Sequence, residues 1–152
     1  MNSIRPADFV LRPAIGSDAA VIASTMRASL HSLDWMPVLH TPEEDLFFIR
    51  NVILPRQQVT VAEVGGRVVG FIAVSGDWVA QLYLDPAWTR QGIGSRLLAQ
   101  ATAGLPAVKL ASVEAHTGAR GFYERHGFGA EAFGDGTTNE EGLPDILYVS
   151  SR

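Results

Sequence analysis

A glycine-bearing turn between a predicted strand and a predicted helix most constrains how this chain can fold. Residues 79–84 are β-branched, aromatic and aliphatic, which is typical of a mostly buried strand. Asp85-Pro86 ends that strand, because proline cannot donate to a β-ladder. Apolar residues at helical spacing from Ile93 onward then predict a helix that ends at Gly104. The run from residue 82 to residue 98 therefore reads as strand, turn and helix.

The turn itself has the features of an anion-binding site. Gly92 and Gly94 leave backbone N–H groups uncovered by side chains. These groups lie at a helix N-terminus, where the macrodipole favours negative charge. Arg90 and Arg96 add positive charge nearby. The turn is suited to hold a diphosphate.

Several readings of this turn stay open from the residues alone. The Walker pattern needs a lysine after its last glycine, and this stretch has none. The dinucleotide fingerprint needs a third glycine where Leu97 stands, although Glu114 lies at a plausible distance for a ribose contact. The glycines could also serve only to let helix and strand pack closely.

A different phosphate pattern fits the turn better. The turn resembles the coenzyme A loop of the GNAT family of N-acetyltransferases. That loop usually runs Arg or Gln, two residues, Gly, one residue, then Gly or Ala. Thr89 stands at the first position and is a departure, and Arg90 and Gln91 could take over its charge and hydrogen bonds.

A later segment resembles the same family. Residues 113–128 match its strand, helix and Phe-Tyr-Glu-Lys/Arg-x-Gly-Phe pattern. His116 stands where the family usually has Asn. The matching positions are Ala119, Phe122, Tyr123, Glu124, Arg125, Gly127 and Phe128. Two matches in the right order and separation are more specific than either alone, and together they cover the stretch from residue 82 to residue 128.

The resemblance implies a fold and a cosubstrate. The fold is α/β (α+β), with a mixed, mostly antiparallel central sheet of about seven strands and about four flanking helices. A parallel strand pair in that sheet splays apart after a bulge and admits the pantetheine arm of acetyl-CoA. The residues implied to bind acetyl-CoA are Leu82, Tyr83, Leu84, Thr89, Arg90, Gln91, Gly92, Ile93, Gly94, Ser95, Phe122 and Arg125.

The resemblance also implies catalytic roles. Tyr123 matches the tyrosine that protonates the leaving thiolate in many relatives, and a phenol stays protonated at neutral pH. A strand N–H near Leu84 could stabilise the oxyanion. Glu114, His116 and ordered water remain alternative bases for the acceptor amine. Phe-Tyr at helical spacing is also compatible with simple core packing.

On the acceptor side, two loops are implied to choose the substrate, residues 32–40 and 135–144. Trp35, Met36, His31 and Glu140 are the substrate candidates. For Trp35 and Met36 the alternative is that they fill the core under their loop, and for Glu140 that it lies in a solvated acidic loop. His40 is a further substrate-side candidate, and Glu141 and Asp145, like Glu140, could attract an amine.

The remaining elements follow from local signals. A strand at residues 9–14 is expected near a sheet edge because of Pro13, and a helix capped by Ser17 or Asp18 follows. Thr41, Pro42 and Glu44 form a capping-box signal that starts a second helix. The remaining strands are predicted at residues 58–63, 68–74, 107–113, 128–133 and 145–149, and a last helix at residues 117–126.

Composition limits the function classes. The chain has 152 residues, 47% of them hydrophobic and 18% charged, as in a single globular domain over 1–152. A net charge of −4 without a basic run makes nucleic acid an unlikely partner. With no cysteine, no metal-binding histidine spacing, no signal-peptide pattern and no membrane span in the sequence, we expect a metal-free cytoplasmic protein. A homodimer is one expected arrangement, since dimers are common in the family.

The leading hypothesis is an acetyl-CoA-dependent N-acetyltransferase that acts on a primary amine of a small molecule or protein. A catalytically silent acyl-CoA sensor on the same fold is the alternative, because Thr89 and His116 replace usual family residues. A nucleotide-binding fragment is a third hypothesis. Three predicted strands before the turn argue against it, because that fingerprint normally follows the first strand of its unit.

Overall fold

One seven-stranded sheet runs through the chain, with its strands in the order β1-β2-β3-β4-β5-β7-β6. The computed structural model describes residues 8–151. The strands are β1 (Val10–Pro13), β2 (Gln58–Val64), β3 (Arg67–Ser75), β4 (Trp78–Leu84), β5 (Ala107–Val113), β6 (Gly129–Gly134) and β7 (Asp145–Ser151). The helices are α1 (Ala19–His31), α2 (Pro42–Phe48), α3 (Leu54–Arg56), α4 (Ile93–Ala101) and α5 (Thr117–Arg125).

The helices form four segments, because α2 and α3 are joined by a π-helical turn at Ile49–Ile53. The predicted mixed sheet and its flanking helices are therefore confirmed. β4 and β5 form the parallel pair, and every other neighbouring pair of strands is antiparallel. None of the helices within residues 8–151 is long and apolar enough to cross a membrane.

Two helix starts show how local chemistry sets the boundaries. Thr41 accepts a hydrogen bond from the Glu44 N–H (3.2 Å), and the Glu44 carboxylate accepts one from the Thr41 N–H (2.8 Å), as the capping box predicts. The predicted Asp18 cap differs. Its carboxylate accepts from the Ile15 N–H (2.8 Å) and pairs with Arg12 (2.8 Å), so Asp18 closes the short 3₁₀ turn before α1 and not α1 itself.

The sheet separates two apolar clusters. On one face, Ile93, Leu97 and Leu98 of α4 pack against residues of the sheet such as Val69 and Leu110. On the other face, α1 and the helical segment 42–56 cover a second cluster. That second cluster is formed by Ala19, Ile22, Ala23, Met26, Ile49, Ile53, Val59, Val61, Val68, Phe71 and Ala73. Side chains of one strand alternate between the two clusters, as period-two geometry requires.

The parallel pair separates almost as soon as it forms. Among the described residues, β4 and β5 are in register at one pair, Trp78 and Lys109. Beyond it β4 bulges, because Val74 lies opposite Val79 whereas Ala73 lies opposite Gln81, which leaves Ala80 without a counterpart in β3. A gap therefore opens between the C-terminal half of β4 and β5, as the resemblance implies.

The α4 contact is expected to carry much of the stability of the first cluster. Leu97 is fully buried there, so Leu97→Ala should lower the free energy of unfolding by about 2–5 kcal/mol. Urea unfolding measures this change. Gln100→Ala on the exposed side of the same helix is the control and should stay within about 0.5 kcal/mol. Equal losses in both variants would mean that α4 does not pack as described.

Candidate active site

The turn before α4 presents unpaired backbone donors. Gly92 is the N-cap of α4 with φ 86°, a left-handed conformation that favours glycine. The Arg96 N–H donates to the Gly92 carbonyl (3.1 Å), which is the first hydrogen bond of the helix. The N–H groups of residues 92–95 come before this bond, so no carbonyl inside α4 can accept from them. They form the kind of helix N-terminus that binds phosphate oxygens.

Gly94 is buried beside Phe122 and Leu84. A Cβ atom at Gly94 would lie 3.5 Å from the Phe122 ring and 3.6 Å from Leu84, which is ordinary contact distance, so the packing of α4, α5 and β4 does not require a glycine there. Nothing lies within 4 Å of a Cβ atom built at Gly92. Close packing is therefore not what requires either glycine, and the left-handed backbone of Gly92 is the feature that favours one.

The side chains of the turn divide into two groups. Thr89 Oγ1 donates to the Pro86 carbonyl (3.3 Å), and Gln91 Nε2 lies 3.5 Å from the Ala87 carbonyl, so both brace the turn itself. Arg90 is exposed and has φ 63°. The Arg96 guanidinium lies 5.3 Å from the centre of the Phe9 ring. Arg90 is therefore the better placed of the two arginines to add charge to the turn.

The edge of β4 that faces the gap carries backbone groups without a strand partner. The Asp85 N–H donates to the Val69 carbonyl (2.8 Å), so Asp85 points toward β3. Because residues of an antiparallel strand alternate in direction, the backbone groups of Leu84 and Leu82 point to the β5 side, where the register has ended. The backbone of Tyr83 points toward β3 by the same alternation. Of the three residues predicted on this strand, Tyr83 can face the site only through its side chain.

Tyr123 lies in an aromatic cluster beside the gap. Its ring centre is 5.3 Å from Phe122, 5.8 Å from Phe128 and 6.3 Å from Tyr148. Its hydroxyl makes no hydrogen bond with another residue of the described chain. Burial raises the pKa of Tyr123, and the neighbouring Tyr83 adds to the shift, so this phenol stays protonated well above neutral pH.

Tyr83 reaches the same region from the opposite face of the sheet. Its ring packs 5.9 Å from Phe71 in the α1-side cluster. Burial raises the pKa of Tyr83 to about 12, and Glu141 contributes to the rise. Its hydroxyl also makes no hydrogen bond within residues 8–151. Both tyrosines keep some exposed surface, and they pack in the clusters on opposite faces of the sheet.

The two predicted base candidates differ in the hydrogen bonds that they form. Glu114 is exposed just after β5, and its carbonyl accepts from Arg120 (3.2 Å). His116 caps α5, since its Nδ1 accepts from the Ala119 N–H (3.3 Å). A neutral ring that accepts through Nδ1 carries its proton on Nε2, so His116 can take up a proton only by giving up its cap. Burial also lowers the pKa of His116.

One contact joins an acceptor-side candidate to this region. The Trp35 ring lies edge-on to His116, with 5.7 Å between ring centres, and Met36 is half-buried beside it in the chain. Glu140 contacts His40 Nε2, which joins the two predicted acceptor loops. His31 is exposed at the end of α1, and within the described chain no side-chain hydrogen bond joins it to the others.

Comparison with known proteins agrees with this geometry. Residues 55–129 match the family model described as an acetyltransferase (GNAT) domain. The chain carries a GNAT domain. It is 37% identical over 78 residues to the uncharacterized N-acetyltransferase YafP of Escherichia coli, a match that covers 49% of this chain and 48% of YafP. The match thus spans about half the length of this curated relative.

Solved structures share the whole fold. The crystal structure of a GCN5-related N-acetyltransferase from Rhodopseudomonas palustris, also described as an aminotransferase of class II, has a TM-score of 0.78 and 22% identity, covering 100% of this chain and 99% of that one. The PaiA N-acetyltransferase of Thermoplasma acidophilum, solved with coenzyme A, has a TM-score of 0.70 and 18% identity, covering 95% and 99%. At these identities the likeness concerns the GNAT fold.

One contact in this GNAT domain had no signal in the sequence. His126 Nδ1 lies 2.7 Å from the Phe122 carbonyl, and its Nε2 lies 2.9 Å from Ser95 Oγ. Because a carbonyl only accepts, Nδ1 donates, and the neutral ring accepts the Ser95 hydroxyl proton through Nε2. His126 thereby ties the N-terminus of α4 to the end of α5, next to the exposed Arg125.

A second contact network holds α5 on the sheet. Tyr148 is fully buried on β7, accepts from Arg120 Nε (3.1 Å) and donates to Glu124 (2.9 Å). Arg120 and Glu124 lie four residues apart on α5 and Tyr148 lies on β7, so only the fold reveals that the strand residue joins them. It fixes the helix that carries Phe122 and Tyr123.

The GNAT domain also has a shallow cavity outside this region. It lies between α1 and α2, has a volume of about 200 Å³, and is crossed by the ion pair of Arg27 with Asp45 (3.0 Å). Its charged groups are satisfied by each other and by the His40 carbonyl. The gap is the better candidate, because the backbone groups of Leu82 and Leu84 without a strand partner lie there.

The cap formed by His116 predicts a pH dependence of stability. The unfolded chain takes up a proton at this residue near its ordinary pKa of 6.5, whereas the folded chain does so only at lower pH. The stabilisation is therefore fully present above about pH 6.5 and is lost as the pH falls through the folded value. Urea unfolding at about pH 7.5 and about pH 5.5 should show this loss.

His116→Asn is the matched control, because asparagine caps a helix but does not titrate. It should lose less stability than the wild type between the two pH values. Equal losses of stability in the two proteins would show that protonation of His116 does not weaken the cap.

Proposed function

We propose that this protein is an acetyl-CoA-dependent N-acetyltransferase that moves an acetyl group to a primary amine of a small molecule or a protein. The observation that carries the proposal is the alignment of two sets of unpaired backbone groups. The helix N-terminus at residues 92–95 and the free edge of β4 at Leu82 and Leu84 border the same gap. A diphosphate joined to an amide-bearing arm matches that arrangement.

The residues present fit this cosubstrate. The N–H groups at the start of α4, with the exposed Arg90, would hold the diphosphate. The backbone groups of Leu82 and Leu84 would pair with the amides of the pantetheine arm, as an added strand pairs with a sheet edge. Acetyl-CoA supplies the activated acetyl group as a thioester. Phe122 packs against the turn at Gly94 and would line the entrance.

Acetyl transfer to an amine would require a base, an oxyanion donor and an acid from the chain. The acceptor amine must lose a proton before it attacks, and Glu114, His116 or a water relayed to either would take it. The Leu84 N–H would donate to the oxyanion that forms on the acetyl carbon. Tyr123, which is protonated and lacks a hydrogen-bond partner in the described chain, would donate to the departing thiolate.

Two relatives support the type of activity and the type of cosubstrate that we propose. YafP is described as an N-acetyltransferase, and the structurally similar PaiA protein was solved with coenzyme A. The competing function is an acyl-CoA sensor without catalysis. The engagement of His116 as a helix cap favours it, because that role withdraws one of the base candidates. Amine-dependent release of free thiol from acetyl-CoA distinguishes the two functions.

Acetyl-CoA should stabilise the folded protein. At a concentration a hundredfold above Kd the gain is expected to be about 2.7 kcal/mol, since a ligand that binds only the native state shifts the equilibrium by mass action. Thermal melts with and without acetyl-CoA measure it. A melting temperature unchanged at millimolar acetyl-CoA would contradict the proposal, whether the protein is an enzyme or a sensor.

The same melts test Arg90. Arg90→Ala should weaken acetyl-CoA binding, and added salt should narrow the difference from the wild type because the contact is exposed. Arg56→Ala is the matched control, since Arg56 is an exposed arginine at the end of α3. Equal effects of the two substitutions would indicate that Arg90 acts only through net charge.

Tyr123→Phe should separate catalysis from packing. The substitution removes one hydroxyl and leaves the ring in its aromatic cluster, so stability and the Kd of acetyl-CoA should change little. Turnover should fall about 10²-fold or more, which is the usual scale for a positioned general acid. The measurement is kcat against pH on the best acceptor amine, in both proteins. An unchanged kcat would assign thiolate protonation to water and leave Tyr123 a packing residue.

A further inference from the structure

His126 joins α4 to α5 through both nitrogens of its ring. Its Nδ1 lies 2.7 Å from the carbonyl of Phe122, four residues earlier, and its Nε2 lies 2.9 Å from the Ser95 hydroxyl. The ring also packs on the Phe122 ring, with 4.3 Å between the two centres and 36° between the planes. Two hydrogen bonds and one ring contact therefore fix the orientation of the half-buried imidazole.

This orientation determines where the ring can carry protons. A carbonyl only accepts, so Nδ1 holds a proton in every state that keeps the contact with Phe122. The neutral ring then has a lone pair at Nε2 and accepts the hydroxyl proton of Ser95. Nε2 becomes a donor, with the Phe122 contact kept, only when the ring takes up a second proton.

Ser95 lies among the donors of the turn before α4. It is the third residue of that helix, and its N–H is one of the four that precede the first hydrogen bond of the helix. Its hydroxyl has a single proton to donate. While that proton is directed to His126, a phosphate oxygen beside the hydroxyl would meet only lone pairs. The hydrogen bond of the ligand-free protein therefore opposes a contact between this hydroxyl and a phosphate.

Protonation of His126 reverses the direction of this hydrogen bond. Nε2 takes one proton from the solvent, and no other covalent bond changes. The imidazolium donates to the Phe122 carbonyl and to Ser95 Oγ, so the Ser95 hydroxyl can turn and donate to a phosphate oxygen. The ring then also carries a positive charge beside the diphosphate, and hydrogen bonds that involve a charged group are the stronger class.

The charged groups near this contact leave room for a new counter-ion. Arg96 follows Ser95 on α4, and its guanidinium packs on an aromatic ring. On α5, Arg125 is exposed, and the Glu124 carboxylate accepts from a tyrosine of β7. Within residues 8–151 no carboxylate lies within 4 Å of the His126 ring. A diphosphate at the turn would supply the anion that these residues do not.

We propose that His126 is a positioning residue for the diphosphate, and that its ring takes up a proton as the diphosphate binds, which turns the Ser95 hydroxyl from His126 to a phosphate oxygen. The inference rests on the proposed function only in that the turn before α4 binds the diphosphate of acetyl-CoA. It adds that this binding is linked to a proton, so that affinity rises as the pH falls.

Calorimetry in two buffers of different ionisation enthalpy measures the proton uptake. The probe is dephospho-CoA, which keeps the diphosphate and lacks the phosphate monoester that itself titrates near neutral pH. At about pH 7.5 the wild type should take up about half a proton or more on binding, and its Kd should fall at least about threefold between about pH 8 and about pH 6.5. His126→Gln cannot titrate, so it should lose that uptake and most of the pH dependence.

Ser95→Ala tests the same link with the histidine in place. It keeps the contact of the ring with Phe122 but removes the hydroxyl, so the Kd should rise about tenfold and the uptake should fall below about half of the wild-type value. The double variant Ser95→Ala/His126→Gln should bind within about threefold of Ser95→Ala, because His126 acts through Ser95. Ser24→Ala, on the exposed side of α1, is the matched control and should change neither quantity.

Thermal melts without ligand establish which variants fold, and if His126→Gln does not, Ser95→Ala decides alone. Binding of dephospho-CoA without proton uptake would overturn the inference and leave the proposed function standing, as would uptake that persists in both single variants. Uptake that is lost in both, without thiol release from any amine, would support the inference and reject the enzyme. Failure of the wild type to bind either dephospho-CoA or acetyl-CoA would overturn both.

Discussion

The separation of β4 from β5 is the constraint on which the rest of this structure depends. The two strands are in register at Trp78 and Lys109, and the bulge at Ala80 turns β4 away immediately afterwards. A parallel pair that continued would have satisfied its own backbone groups and closed the sheet. Because it does not continue, an edge normally confined to the outside of a sheet lies in its middle, where its backbone groups have no strand partner.

The helix start at α4 uses the same opening. Gly92 takes the left-handed conformation that ends the turn, and Phe122 and Leu84 lie beside Gly94. Close packing does not by itself require the glycines, because a Cβ atom at Gly94 would meet both neighbours at ordinary contact distance. The packing brings the positive end of the helix to the border of the gap, and the bare backbone makes that end available. The Ser95–His126–Phe122 contacts hold the arrangement from the side of α5.

Much of the fold could be predicted because its signals are local. The capping box at Thr41 and Glu44 depends on residues three apart, and it is present as expected. The strand at Ala107–Val113 has the predicted bounds because an apolar run and flanking turn residues define it. Where a side chain has a distant alternative partner, local reasoning was wrong. The Asp18 carboxylate turns away from α1 because Arg12 on β1 offers it two charged hydrogen bonds.

The sequence by itself determined the order of elements, the turn chemistry at residues 89–94 and the family resemblance, since each depends on spacing along the chain. Only the tertiary structure decided what each candidate side chain contacts. It engaged His116 as a cap, directed Glu140 to His40, and left the hydroxyls of Tyr83 and Tyr123 without partners in the described chain. The physical reason is that these states depend on burial and on neighbours from other elements. Tyr83 and Tyr123 pack in the clusters on opposite faces of the sheet, and residues 40 apart in the chain do not reveal this from spacing.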